Sequence, residues 1–257
     1  MDLYQHYRKE EHPFIDQVLT WKDEVERTYQ PKLSDFLHPR EQAIFASVIG
    51  NNDELSWSIY GGDEQAERKR AILAPYYEQI ETDDYSITLL QAEFPDKFVT
   101  LTHPDVLGAF LSLGIKRKKL GDLIVDDGIV QIVLASEIES YVEMNLTSIK
   151  NAKVSFKEQP LSALLDKKET WESNDTTISS LRLDVFVKEV YRISRQQAAN
   201  YIQKGLVKVN FQIIENPAFQ IEVDDLISVR GLGRSALTEI HGLSKKDKWK
   251  ITFKKLK

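Results

Sequence analysis

Ser194 followed three residues later by Gln197 begins the segment that most restricts how this chain can fold. A serine hydroxyl and a glutamine side chain at that spacing satisfy each other's free backbone N–H groups, so the pair opens a helix as a capping box. Ala198 and Ile202 give that helix its apolar face, and Gly205 stands where a left-handed residue ends it. Val207 and Val209 then alternate with Lys208 as a strand, and Asn210 turns the chain. Leu226 to Arg230 reads as a second strand running into Gly231-Leu232-Gly233-Arg234. Just upstream, Leu183, Phe186, Val187 and Val190 share one face of another short helix. Two short antiparallel helices backed by small strands leave a helical face open. The cations expected on it are Arg182, Arg192, Arg195, Lys204 and Lys208, with Arg230 and Arg234 joining from the glycine loop. Ser194, Gln196 and Asn210 complete the expected contact set, and Arg195 is expected to project from the surface with little role in stability.

The charge distribution points the same way. Residues 181–257 hold 15 Lys+Arg against 8 Asp+Glu, whereas residues 1–180 hold 19 against 32. The net of −6 for the whole chain thus hides a basic last third on an acidic body, which implies a polyanionic partner for the last third. Lys254, Lys255 and Lys257 also fit a simple solvated end. There is no cysteine, which excludes disulfides, thiolate nucleophiles, iron–sulfur clusters and cysteine-ligated zinc, and fits a reducing cytoplasm. His6, His12, His38, His103 and His241 lack ligand spacing, so neither a metal nor a cofactor is expected. Met1-Asp2-Leu3-Tyr4 has no signal-peptide pattern, and runs such as Ile132 to Ala135 are too short to span a bilayer. The expectation is a cytoplasmic monomer with no membrane partner.

Upstream, the pattern predicts an α+β protein. Residues 1–79 read as a mostly helical domain: Phe14, Val18, Trp21 and Val25 recur at helical spacing, and a second helix follows Pro39. A short strand spans Leu55 to Tyr60, and Asp63 is placed to cap a helix holding Ala66 to Ala74. Residues 80–165 alternate strand and helix as an RRM-like or ferredoxin-like βαββαβ sandwich. Its strands are expected at Ile87 to Ala92, Phe98 to Leu101, Leu123 to Val125, Ile129 to Leu134 and Val154 to Phe156, with a hairpin at Asp127-Gly128. Thr102 with Asp105, and Ser136 with Glu139, are expected to cap its helices. Residues 166–180, rich in Thr, Ser and Asn, read as a linker, and 181–257 as the last domain.

The strings Leu181-Arg182-Leu183-Asp184-x-Phe186, Ser194-Arg195-x-x-Ala198-x-x-x-Ile202-x-x-Gly205-x-Val207-x-Val209-Asn210 and Asp225-x-Ile227-x-Val229-Arg230-Gly231-x-Gly233-Arg234 resemble the S-four domain, an RNA-binding fold of about 55 residues. The resemblance implies that the two helices dock on structured RNA through Arg and Lys contacts to phosphates. That suits folded RNA, which offers shape, phosphates and 2′-hydroxyls rather than a readable major groove. A basic helix–turn–helix for DNA or protein is the rival, and the Gly231-x-Gly233-Arg234 turn after a strand argues against it. The whole chain is similar to the YlmH family of bacterial proteins, notably through Tyr60-Gly61-Gly62-Asp63-Glu64-Gln65-Ala66-Glu67-Arg68-Lys69-Arg70 and Leu113-Gly114-Ile115-Lys116-Arg117-Lys118-Lys119-Leu120-Gly121-Asp122. Membership would imply a non-enzymatic cytoplasmic factor binding ribosomal RNA or tRNA on the large ribosomal subunit. Links to ribosome quality control and cell division would come with it.

Other motifs carry less. Pseudouridine synthases place a catalytic aspartate in a string like Arg182-Leu183-Asp184, but here the string lies inside the binding segment, where Asp184 fits a cap or salt bridge. Gly231-x-Gly233 lacks the third glycine of a dinucleotide site. Gly61-Gly62 before a helix could cradle a phosphate, were Asp63 and Glu64 not there to repel it. Lys116, Arg117, Lys118 and Lys119 form a run that is either a solvated loop or a second RNA contact. The expected middle strands lack base-stacking aromatics. Two alternatives stay open: an RNA-modifying enzyme targeted by 181–257, and a cell-division adaptor tethered to RNA.

Overall fold

The computed structural model describes residues 3–7, 9–166 and 170–256. The chain divides into two compact units, Met1–Lys167 and Lys168–Lys257.

The first unit opens with α1 (His12–Thr28), β1 (Lys32–Leu37), α2 (Pro39–Ile49), β2 (Leu55–Tyr60) and β3 (Lys69–Pro75). The strands form an antiparallel sheet in the order β1-β3-β2. Val18 and Val25 of α1 and Phe45 and Ile49 of α2 pack with Leu37, Leu55 and Leu73 in one core. The expected helix over Ala66 to Ala74 is instead the central strand of this sheet. Ala71 to Ala74 are buried without interruption, and such an apolar run cannot be assigned to helix or strand by periodicity. Asp63 therefore caps no helix, and the Gly61-Gly62 turn has no helix N-terminus behind it. β1 was not anticipated, because Lys-Leu-Ser-Asp-Phe-Leu does not alternate. Its register shifts between Leu33 and Phe36, where Ser34 Oγ accepts a hydrogen bond from Ala71 N (2.8 Å).

The same unit continues with β4 (Ile87–Glu93), α3 (His103–Ser112), β5 (Leu120–Asp126), β6 (Ile129–Ala135), α4 (Glu139–Asn145), the small hairpin β7 (Ser148–Ile149) and β8 (Ala152–Lys153), and β9 (Lys157–Gln159). The antiparallel order β5-β6-β4-β9 is the split βαβ arrangement expected for a βαββαβ sandwich. Asp127 (φ 41°) and Gly128 (φ 79°) make the hairpin turn, both in the left-handed region that a type I′ turn needs. Phe98 to Leu101 is not a strand: Phe98 is exposed, and its N–H and that of Val99 bond to Pro95 O as a turn. Ser136 and Glu139 do not cap α4; both bind the Thr88 hydroxyl, each at 2.9 Å. The closing strand falls three residues later than expected, at Lys157, because Val154 and Phe156 are buried in the core, with Phe156 stacked edge-on to Phe110.

Both faces of this four-stranded sheet are covered. Val130, Ile132 and Leu134 face Phe110 of α3 and Val142 of α4. Leu89, Val133 and Ala135 on the other side pack on Phe36 of β1, Leu161 and Leu164. Gln131 joins that layer, donating to Ala163 O (2.9 Å) and accepting from Leu165 N (2.8 Å). A Cβ on Gly121 would lie 2.7 Å from the Phe36 ring, so this close approach needs glycine. Two buried arginines stitch the layers: Arg68 donates to Leu120 O and Phe36 O, and Arg70 to Ser34 O, Tyr85 O and Ser86 O. The face that an RRM would offer to bases is therefore packed inside the protein.

The second unit contains β10 (Trp171–Ile178), α5 (Leu183–Tyr191), α6 (Arg195–Gln203), β11 (Val207–Val209), β12 (Gln212–Ile213), β13 (Leu226–Val229), β14 (Gly233–Leu243) and β15 (Trp249–Leu256). They form an antiparallel sheet in the order β10-β15-β14-β13-β11-β12. Leu183, Phe186, Val187 and Val190 of α5, with Ala198 and Ile202 of α6, pack on Val207, Val209, Ile227, Leu237, Ile251 and Phe253. Most of the expected linker is thus structure: Trp171–Ile178 pairs along its whole length with β15. It looked like a linker because it is an edge strand that buries little beyond Ile178. Residues 167–169 of that expected linker lie outside the described residues.

Candidate nucleic-acid interface

The helical face of the second unit is organised by a buried carboxylate. Asp184, in the first turn of α5, accepts from Arg182 Nε (2.9 Å) and Nη2 (3.1 Å) and from Arg195 Nε (3.0 Å). Its residue exposure is 3%, whereas the Arg195 and Arg182 side chains are 58% and 35% exposed. Burial by itself would raise this carboxyl, but the hydrogen bonds and charges of Arg182 and Arg195 hold it below the ordinary carboxylate range. The result is one fixed anion presenting two arginine forks to solvent, a preorganised grip for phosphate oxygens.

Local sequence explains how these residues meet. Arg182 precedes α5, and its carbonyl takes the N–H groups of Val185 and Phe186. Leu183 N and Asp184 N bond to Phe219 O and Pro217 O, which fixes the start of the helix. Arg192 ends α5 in a left-handed conformation (φ 54°), and Ser194 opens α6 two residues later. The predicted capping box is present: Ser194 Oγ accepts from Gln197 N (3.1 Å) and Gln197 Oε1 accepts from Ser194 N (2.9 Å). Ser194→Ala is therefore expected to lower stability by about 0.5–2 kcal/mol, read by thermal melting, while leaving Arg195 in place. Arg195 itself is not the detached surface group anticipated. It is one of the partners of a buried charge, so Arg195→Ala should reduce stability as well as binding.

The other expected residues separate. Arg192 and Lys204 are exposed at the ends of α5 and α6, and Gln196 donates to Asn200 Oδ1 (3.3 Å) on the α6 surface. Arg230 is exposed just past β13, with its N–H on Leu206 O. Asn210 is committed to its turn, donating to Asp225 Oδ1 (2.7 Å) and accepting from Leu226 N (2.9 Å). Lys208 and Arg234 belong to the opposite side of the sheet, because Val207, Val209 and Ser235 beside them turn towards the helices. Tyr191 was missed: its hydroxyl donates to Gly233 O (3.0 Å) and contacts Ser235 Oγ (3.2 Å), tying α5 to the glycine loop. Burial pushes this phenol up to about 12, so it stays a neutral donor. No sequence signal marks a tyrosine at a helix end as a loop anchor.

The basic run in the first unit is largely spent on the fold. Lys118 and Lys119 both bind Asp35 of β1 (2.7 and 2.5 Å), and Lys119 also reaches Glu137 (2.5 Å). Arg117 donates to Leu120 O (2.6 Å), and Lys116 is exposed. Among the described residues no group of acidic residues and histidines could hold a metal ion, and no helix is long and apolar enough to cross a membrane.

Comparisons with known proteins match three stretches of the chain. Residues 10–78 match the family profile "YlmH, N-terminal", 81–163 match "Putative RNA-binding domain in YlmH", and 181–227 match "S4 domain". The chain is 42% identical over 256 residues to "Ribosome-associated protein quality control protein P2" of Bacillus subtilis (strain 168), covering 100% of this chain and 99% of that protein. Among solved structures it is similar to "Cell division protein ylmH from Streptococcus pneumoniae", at 33% identity and a TM-score of 0.54, covering 64% of this chain and 99% of that one.

Proposed function

The chain belongs to the YlmH family, and on that footing we propose that it is a non-enzymatic bacterial RNA-binding factor. It recognises structured ribosomal RNA or tRNA on the large ribosomal subunit, in the cytoplasm, through the α5–α6 face. The observation that carries this reading is the Arg182–Asp184–Arg195 cluster, two partly exposed guanidiniums oriented by one buried carboxylate. The name of the Bacillus subtilis relative places that protein in ribosome-associated quality control, and the Streptococcus pneumoniae protein carries a cell-division title. We assign the first role to this chain and take the second as its consequence in growing cells. Arg192, Arg195, Lys204 and Arg230 are the cations proposed to meet phosphates alongside Arg182, and Ser194 and Gln196 lie between them on the α6 end.

Titration of the full chain with purified bacterial ribosomal RNA and with tRNA tests this. Log affinity should fall linearly with log salt, with a slope near −0.7 to −0.9 for each phosphate engaged. Affinity that stays flat between low and physiological salt would remove the reading. The acidic first 180 residues favour a protein contact as well, since 32 acids face 19 bases there. Pull-down with and without ribonuclease separates a partner held by protein from one held through RNA.

A further inference from the structure

The cations read as one site lie on two faces of a single sheet. Side chains alternate along a strand. Val207 and Val209 of β11, Val229 of β13, Leu237 of β14 and Phe253 of β15 point to the core shared with α5 and α6, and so does Ser235, held under Tyr191. Lys208, Ser228, Arg234, Ala236 and Lys254 therefore occupy the outer face. Their register is explicit: Lys208 lies beside Ser228, Ser228 beside Arg234, and Ala236 beside Lys254. With strands about 4.8 Å apart, Lys208 and Arg234 stand about 10 Å from each other. Lys254 is one strand further on and diagonal to Arg234, about 7–8 Å away. The Lys254 ammonium sits 4.9 Å from the centroid of the Trp171 ring on edge strand β10, which holds this cation on the outer surface. Lys255, by contrast, turns to the helical side and covers Tyr191. Two acids stand on this face further along the strands: Asp175 accepts from the Thr252 hydroxyl (2.6 Å), and Glu239, paired with Thr252 in the register, lies 3.8 Å from His241 Nδ1.

We propose that this outer face, with Lys208, Arg234 and Lys254 in line, is a second RNA-contacting surface that holds a stretch of phosphates distinct from the one on α5–α6. The inference rests on the RNA-binding reading above. A sheet separates the two sets of cations, so a given phosphate cannot serve both, and the bound RNA must present a separate segment to each side. A row of cations on successive strands, with open space around Gly231 and Gly233 beside Arg234, fits a backbone track rather than a base pocket.

The test uses the full chain and purified bacterial ribosomal RNA. The combined variant Lys208→Gln, Arg234→Gln, Lys254→Gln should flatten the salt slope by about 2–3, close to 1 per lost phosphate contact. Arg182→Ala should weaken binding independently, and the two sets of changes should add because they lie on separate faces. A charge-conserving set, Lys208→Arg, Arg234→Lys and Lys254→Arg, should retain the wild-type slope. If the glutamine variant binds as wild type while Arg182→Ala is weakened, the outer face is not an RNA surface and the helical reading stands. If neither affects binding, the RNA-binding reading itself fails. Loss in the charge-conserving set as well would mean packing rather than charge, and it would overturn this proposal. So would unchanged RNA affinity combined with loss of co-sedimentation with ribosomes, which would make the face a protein contact.

Discussion

Asp184→Ala should weaken RNA binding by about tenfold or more and destabilise the second unit by about 2–3 kcal/mol. Hydrogen bonds to charged groups contribute about 1.5–3 kcal/mol each, and this carboxylate accepts three. Removing one member of a buried pair costs about 3–5 kcal/mol when the remaining charge stays buried. Here Arg195 and Arg182 keep much of their surface in water, so the lower figure applies. Affinity falls further than a simple loss of charge would suggest, because deleting an anion makes the surface more basic yet frees both arginines from their fixed geometry. Binding that improves in Asp184→Ala would show that net charge, not orientation, governs the site.

The pH dependence follows from the depressed carboxyl. Its contribution is fully present above the unfolded value of about 3.9 and is lost as pH falls through the lower folded value. The stability difference between wild type and Asp184→Asn should accordingly stay constant above about pH 5 and shrink in stronger acid. Asp184→Asn also addresses the enzymatic alternative. Pseudouridine mapping of total RNA should be identical in wild-type and mutant cells, and a single uridine that loses its modification would reinstate catalysis.

Phe36→Ala should be the most damaging single truncation in the first unit, at about 3–5 kcal/mol. Phe36 is 1% exposed and fills the layer between its own sheet and Leu89, Val133 and Ala135 of the next. Gly121 opposite it leaves room for that ring, since a Cβ there would lie 2.7 Å from it, and alanine at 36 would leave a void between them. Hydrogen exchange should quicken in β6 as well as in β3, since both sheets lose the shared contact. Faster exchange confined to the β1-β3-β2 sheet would mean that the layers do not stabilise each other.

The second unit was the more legible half because its signals are local. The Ser194 and Gln197 cap, the Gly205 stop, the Val207-Lys208-Val209 alternation and the Asn210 turn each depend on neighbours a few residues away, and each is present. The first unit resisted where burial depends on distant partners. Ala71 to Ala74 could be a helix or a strand until β1 and β2 flank them. Lys118 and Lys119 look like free cations until Asp35, more than 80 positions upstream, neutralises them. The second unit has one such case, Trp171–Ile178, which looks like a linker until β15 supplies its hydrogen bonds.

From the residues by themselves came the charge division, the two short helices of the last third with the cap of the second, the βαββαβ order and the family resemblance. Those properties reside in spacing and side-chain type. Only the tertiary structure decided which cations lie together. Arg182 and Arg195 lie 13 positions apart and meet because Asp184 is buried between them. Lys208 and Arg234, expected beside them, are turned away by the alternation of strands whose other face must bury Val207, Val209 and Leu237. The sequence lists the charges; burial of apolar neighbours, the larger free energy, sets the direction each charge faces.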